Sequence, residues 1–214
     1  MLLTESLFPH RLNASALNVR LGDYDFMNNA ESQHEDFKAK RIIINKNYHG
    51  LFVRDIAVVL LDRPVSFKPH IIPICLPESG VSFQNQEALI SGWGSTSNSE
   101  HFEGKLRKTR VNVVSDAECA IDFQKYASPK VLPETVLCAG ANSSHSCRGD
   151  SGGPLVVKRN GRAVVIGLAV GVKRNCEDSQ LGYYVSVSSL MPWIRECTDR
   201  NEPSGTPSEG IYWN

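Results

Sequence analysis

Ten residues, Ser146-Cys-Arg-Gly-Asp-Ser-Gly-Gly-Pro-Leu155, constrain this chain more than any other stretch. They place Ser151 behind Gly149 and Asp150 and ahead of Gly152 and Gly153. Glycines let the backbone turn tightly. Such a turn can aim two N–H groups at one point, which is what a developing oxyanion requires. Gly149 and Ser151 are the expected donors, and Asp150 is a candidate buried anion that pins the turn. A bare Gly-Asp-Ser-Gly would say little, because Gly and Ser dominate ordinary turns. The length of the run, closed by Pro154-Leu155-Val156-Val157 as a strand, carries the reading.

Around this loop, short apolar runs alternate with Gly, Pro, Asn and Asp turns, the pattern of a β-barrel or sandwich. Strands are expected at 17–21, 41–45, 56–61, 88–91, 111–114, 154–158, 163–170 and 182–187. One helix is expected, at 188–199, anchored by Trp193. Residues 201–214 are polar and rich in Pro, Gly and Ser, and a disordered tail is expected there.

Five further motifs follow in one order: Arg54-Asp-Ile-Ala-Val-Val-Leu-Leu61, Ile90-Ser-Gly-Trp-Gly94, Leu137-Cys-Ala-Gly140, Leu181-Gly-Tyr-Tyr-Val185 and Met191-Pro-Trp-Ile194. With the serine loop, they make the chain resemble the chymotrypsin/trypsin-like serine proteases, in particular the catalytic domains of arthropod clip-domain proteases. The resemblance implies an all-β fold: two six-stranded antiparallel barrels with the site between them, and a C-terminal helix. The first barrel is expected to be incomplete, with about three strands, unpaired edges and an exposed apolar face. One domain over 1–200 is expected, with a partial first barrel at 1–86, the second barrel at 87–187 and the helix at 188–199. By resemblance Ser151 is the nucleophile, Asp55 orients the base, and the Gly149 and Ser151 amides hold the oxyanion. The implied activity is serine-type endopeptidase chemistry through an acyl-enzyme.

The chain also departs from the family. No Ala-Ala-His-Cys run or close variant precedes Asp55. If the opening Leu2-Leu3-Thr4-Glu5-Ser6-Leu7-Phe8 is aligned with the strand that leads into that run, Leu7 stands at the base position and Phe8 at the cysteine position. Counted back from Asp55, His10 falls near the family spacing, although Pro9 and Arg11 do not fit the motif. His10 is therefore a candidate base or an ordinary loop histidine. The Ile-Val-Gly-Gly terminus that pairs with the aspartate before the nucleophile is not found either, so Asp150 is expected to lack a partner. The pocket is altered as well. His145 stands at its floor, where trypsin-like members have Asp. The wall beside Gly182 reads Val170-Gly171-Val172, or Ala169-Val170-Gly171 with a one-residue insertion; in the first register Val172 narrows the pocket mouth, so arginine specificity is not expected, and a protonated His145 would favour an acidic or polar side chain. The expectation is an endopeptidase lineage that is catalytically silent in this form. The alternative is a non-catalytic homologue that binds a protein in a proteolytic cascade.

Composition narrows the setting. Basic and acidic residues balance at 23 each, which argues for neither nucleic acid nor a membrane surface as partner. No apolar run reaches spanning length, and the first residues lack the basic start and long apolar core of a leader. Six cysteines nevertheless point to an oxidising compartment and a secreted protein. A missing N-terminal part is the expected explanation. By resemblance Cys119 pairs with Cys138 and Cys147 with Cys176, each contributing about 3 kcal/mol. Ala88 and Val157 replace both halves of another family bridge. Cys75 is expected to join either Cys197 or an upstream chain or pro-domain. Two glycosylation sequons begin at Asn13 and Asn142. No metal or cofactor is expected, with one open candidate: calcium in the loop that holds Asp23, Asp25, Glu31 and Glu35.

Overall fold

The run Arg162–Ala169 is apolar at nearly every position, which fits a strand covered on both faces and not one with a wet side. The structure, a computed structural model, describes residues 1–4, 13–28, 31, 33–49, 52–96, 104–126, 132–141, 145–170 and 181–199. Its strands are β1 (Leu2–Leu3), β2 (Asn18–Leu21), β3 (Glu35–Ile44), β4 (Ala57–Leu61), β5 (Glu87–Gly92), β6 (Arg107–Val113), β7 (Val136–Gly140), β8 (Pro154–Arg159), β9 (Arg162–Ala169) and β10 (Gly182–Ser186). Two helices complete it, α1 (Asp116–Tyr126) and α2 (Val187–Asp199).

Strands β5 to β10 close into a barrel in the order β10-β7-β6-β5-β8-β9. Side-chain alternation sorts its wall into two cores. Tyr184 of β10 points inward with Leu155, Ile166, Val111 and Val157. Its neighbours Tyr183 and Val185 point outward, onto α1 and α2, with Phe123, Leu190 and Ile194. Every residue of β10 is therefore buried. The β8–β9 turn is Asn160-Gly161, with φ of 51° and 77°, the left-handed pair that suits the twist of a two-residue hairpin.

The first sheet is open, in the order β1-β4-β3-β2. It has four strands where about three are expected, because Leu2–Leu3 pairs with Val58–Ala57. Its own core is small: Val19, Phe37, Ala39 and Val59. Ile56, the residue before β4, belongs instead to the core outside the closed barrel. The all-β class, the barrel, the partial first sheet and the terminal helix are as expected. Residues 201–214, the expected tail, lie outside the described residues.

Two elements were not expected. Helix α1 is signalled by Ser115-x-x-Glu118, a capping pattern, and the Ser115 hydroxyl takes the Glu118 N–H at 3.2 Å. Strand β7 is Val136–Gly140, read only as a pocket motif above. Helix α2 tolerates Pro192 in its interior. The Ser188 carbonyl that loses the Pro192 N–H instead accepts the Gly80 N–H at 3.1 Å.

Candidate active site

The serine loop crosses from Cys147 to β8 as two linked turns. Asp150 N–H donates to Cys147 O at 3.0 Å and Gly153 N–H to Asp150 O at 2.8 Å. Gly149 sits at φ 88° and Gly152 at φ 78°, where side chains with a Cβ are strained. Strand β9 fixes the loop from outside: Gly152 N–H donates to Ala169 O at 2.8 Å, and Ala169 N–H to Gly153 O at 2.9 Å. Ser151 is partly buried at the crest. Among the described residues, no backbone acceptor takes the Gly149 or Ser151 N–H.

Asp150 does not lack partners, contrary to expectation. Its Oδ1 accepts the Gly94 N–H and its Oδ2 the Cys147 N–H, each at 2.9 Å. A methyl group at Gly94 would overlap the carboxylate, so the Ser-Gly-Trp-Gly motif is required by this close approach. Burial raises the Asp150 pKa, and the two backbone donors pull it the other way. The sign for stability follows. A carboxyl with a folded pKa above its ordinary 3.8 contributes stability that is full below that value and is lost as pH rises through the raised one. Asp150→Asn, neutral at every pH, is expected to remove this slope. Urea midpoints across the acid range should diverge between the two proteins; parallel curves would refute the assignment.

Asp55 is 2% exposed and stands two residues before the start of β4. The Ile56 N–H reaches back to Arg54 O at 2.8 Å, making Asp55 the centre of a tight turn. Phe52 and Arg54 ahead of it adopt φ of 75° and 54°. Phe52 packs edge-on against Phe123 and Tyr183, with centroids 5.5 and 5.6 Å apart. Ile56 shares a core with Val170, the residue after β9. Through β9 the structure thus joins the Asp55 turn to the serine loop.

His145 lies four residues before Gly149. Its Nδ1 is 2.7 Å from the Ser146 carbonyl, which can only accept, so Nδ1 carries the proton and Nε2 offers a lone pair when the ring is neutral. Nε2 is buried without a hydrogen-bond partner among the described residues. His145 lines a cavity of about 340 Å³ together with Ser91, Gly94, Arg107, Asp150 and Tyr184. Burial pushes the Tyr184 phenol up to about 12. Gly182 opens β10 beside Ser146. His10, Val172, Cys176 and Asn142 lie outside the described residues.

Cys119 and Cys138 are bridged and tie α1 to β7. Cys147 is also disulfide-bonded. The Cys75–Cys197 option is not realised: both remain thiols. The reason is positional. Backbone bonds hold Cys75 against Ala163 and Val165, while Cys197 stands in the last turn of α2.

The calcium candidates are engaged in protein contacts. Glu31 accepts the Tyr24 and Asp25 N–H groups, Asp25 accepts Met27 N–H, Asp23 pairs with Arg20, and Glu35 with Lys68. Among the described residues, no group of three or more His, Cys, Asp or Glu side chains could hold a metal. None of the described helices is long and apolar enough to cross a membrane.

The trypsin family model matches residues 9–194. Serine proteinase stubble of Drosophila melanogaster is 33% identical over 188 residues, covering 85% of this chain and 24% of that protein. Clotting factor G beta subunit of Tachypleus tridentatus is 29% identical over 202 residues, covering 89% and 64%. Trypsin-1 of Astacus astacus is 30% identical over 186 residues, covering 86% and 76%. The chain belongs to the trypsin family of serine proteases. It spans about a quarter of stubble and about two thirds of the clotting subunit.

Proposed function

We propose that this is a serine-endopeptidase domain whose nucleophile half is assembled and whose base is missing, so that this chain by itself is catalytically silent. The single observation that carries the reading is the serine loop, with its left-handed glycine, its two open amides and a carboxylate that pins it. In the complete mechanism an imidazole takes the Ser151 proton and Asp55 fixes its tautomer. Ser151 Oγ attacks the peptide carbonyl, and the Gly149 and Ser151 amides hold the oxyanion. Here the sequence offers only His10 near the required spacing, in a run unlike the family's.

Substrates of the lineage are polypeptides. His145 at the pocket floor favours a polar side chain when neutral and an acidic one when protonated. Disulfides support secretion. The clotting subunit among the relatives supports a protein partner in a cascade. Cys75, a partly exposed thiol between exposed Ile74 and Leu76, is open to a bridge from an upstream chain.

A second reading, a non-catalytic homologue that holds a protein in the same cleft, is favoured by His145, the altered wall sequence and the absent histidine run. A fluorophosphonate probe separates enzyme from homologue. No labelling of folded protein supports silence, and rapid labelling at Ser151 overturns it.

A further inference from the structure

We propose that Trp93 is a positioning residue for the oxyanion amides: its indole N–H, held by the Tyr24 carbonyl of the 23–28 loop, seats two backbone N–H groups that grip the serine loop. Those two groups are consecutive. The Gly94 N–H donates to Asp150 Oδ1 at 2.9 Å, and the Ser95 N–H donates to Arg148 O at 2.8 Å. The second bond bears directly on the oxyanion site. A trans peptide is planar, so the Arg148 carbonyl and the Gly149 N–H lie in one plane and point in opposite directions. Whatever fixes the carbonyl therefore aims the amide. Ser95 is 4% exposed, and its N–H turns the Gly149 N–H to the other side of that peptide.

Trp93 precedes both donors and is flanked by glycines. A methyl group at Gly92 would overlap the Asp150 carboxylate, as one at Gly94 would. The backbone on either side of the indole thus lies against the anion. A partly buried indole N–H needs a hydrogen-bond partner. Here the partner is Tyr24 O at 3.0 Å, 69 residues away in sequence.

The Tyr24 carbonyl is held in turn. It also accepts the Leu106 N–H at 2.8 Å, and the Phe26 N–H donates to Gly104 O at 3.1 Å. Between them Asp25 lies opposite Lys105 in an antiparallel bridge. A methyl group at Gly104 would come within 2.7 Å of Met27 Cγ, so glycine is what lets the two segments close. Inside the loop, one Glu31 carboxylate oxygen accepts both the Tyr24 and the Asp25 N–H, and bonds to a charged acceptor are the stronger kind. Asp25 Oδ1 accepts the Met27 N–H at 3.1 Å. Hydrogen bonds and the Trp93 backbone thus join Glu31 and Tyr24 to Asp150 and Arg148.

The test follows hydrogen exchange at the Gly94 and Ser95 amides, and the Gly149 amide resonance by ¹⁵N–¹H correlation, in the full natural protein. Trp93→Phe keeps an aromatic ring and removes the donor. Exchange at Gly94 and Ser95 is expected to speed up about tenfold, the loss of one hydrogen bond, and the Gly149 resonance is expected to shift. The Val165 N–H, bonded to Cys75 O at 3.0 Å, and Gly161 at the β8–β9 turn are expected to stay unchanged; a general loss of packing would move them too. Glu31 is exposed and supplies a second pair of variants away from the core. Glu31→Ala is expected to reproduce the changes, and Glu31→Gln, which keeps an acceptor oxygen, to avoid them. The inference rests on the oxyanion role proposed above for the Gly149 N–H, and the two fail differently. In a Leu7→His background, Trp93→Phe is expected to slow fluorophosphonate labelling of Ser151. A shifted Gly149 resonance with unchanged labelling overturns the oxyanion role and leaves the positioning role standing. Unchanged exchange at Gly94 and Ser95 in Trp93→Phe overturns the positioning role, and Glu31→Ala without effect overturns the part played by the loop.

Discussion

Ser151 is expected to stay unlabelled by a fluorophosphonate under conditions that saturate a complete trypsin-like protease, and Leu7→His is expected to raise its labelling by about 10²–10⁴-fold. A serine hydroxyl is a weak nucleophile at neutral pH. Loss of the base in a Ser-His-Asp protease costs roughly 10⁶-fold in turnover, far more than any error in the pocket would. The remaining parts are in place: Asp55 is buried, and the Gly149 and Ser151 amides are open. By resemblance, and with the opening motif aligned, Leu7 stands at the position of the family's histidine. β1 supports that alignment, since Leu3 lies opposite Ala57, two residues past Asp55, and Thr4 is fully buried. A positioned general base contributes about 10²–10⁴-fold, the size of the expected gain. Fast labelling of the unaltered chain would mean that a base is already present. His10→Ala should then abolish it. A folded Leu7→His protein that gains nothing would show that the alignment is wrong.

The serine loop was legible because its chemistry demands consecutive glycines and one carboxylate, and few other needs produce that run. Strands β9 and β10 were legible because burial on both faces makes them almost wholly apolar, as in Arg162–Ala169 after its first residue. Helix α1 was harder to see. Its apolar residues in Asp116–Tyr126 do not mark one face, since Ile121 is exposed while Cys119 and Phe123 are buried; the Ser115 cap was the signal to read. The partners of Asp150 were hidden for a different reason. They are backbone N–H groups, and one of them, Gly94, lies 56 residues away. Sequence marks such a donor only by the glycine that lets it approach. The Phe52 contacts were also invisible, because no local pattern joins a loop ahead of β4 to a helix in the other half of the chain.

Phe123→Ala is expected to cost about 3–5 kcal/mol and to loosen the turn that carries Asp55. Phe123 is fully buried, edge-on to both Phe52 and Tyr183, with the Tyr183 ring 5.2 Å away. Tyr183 is fixed in turn by its hydroxyl bond to Asp122 at 2.9 Å. Phe52 and Arg54 hold left-handed conformations that cost roughly 1–3 kcal/mol each and persist only where surrounding contacts over-determine them. The Arg54 N–H adds only a weak contact to Thr135 Oγ1 at 3.4 Å. Removing Phe123 opens a cavity beneath Phe52 and frees it to relax toward the extended region. Exchange at the Ile56 N–H, bonded within the turn, should then speed up more than at the Val59 N–H, bonded to Met1 O at 2.8 Å in the sheet. A double-mutant cycle in urea isolates the coupling. In a Phe52→Ala background the cost of Phe123→Ala should fall by about 0.5–1.5 kcal/mol, the worth of one aromatic pair. Additive costs would mean that the rings merely fill space, and that the Asp55 turn is held by the first sheet instead.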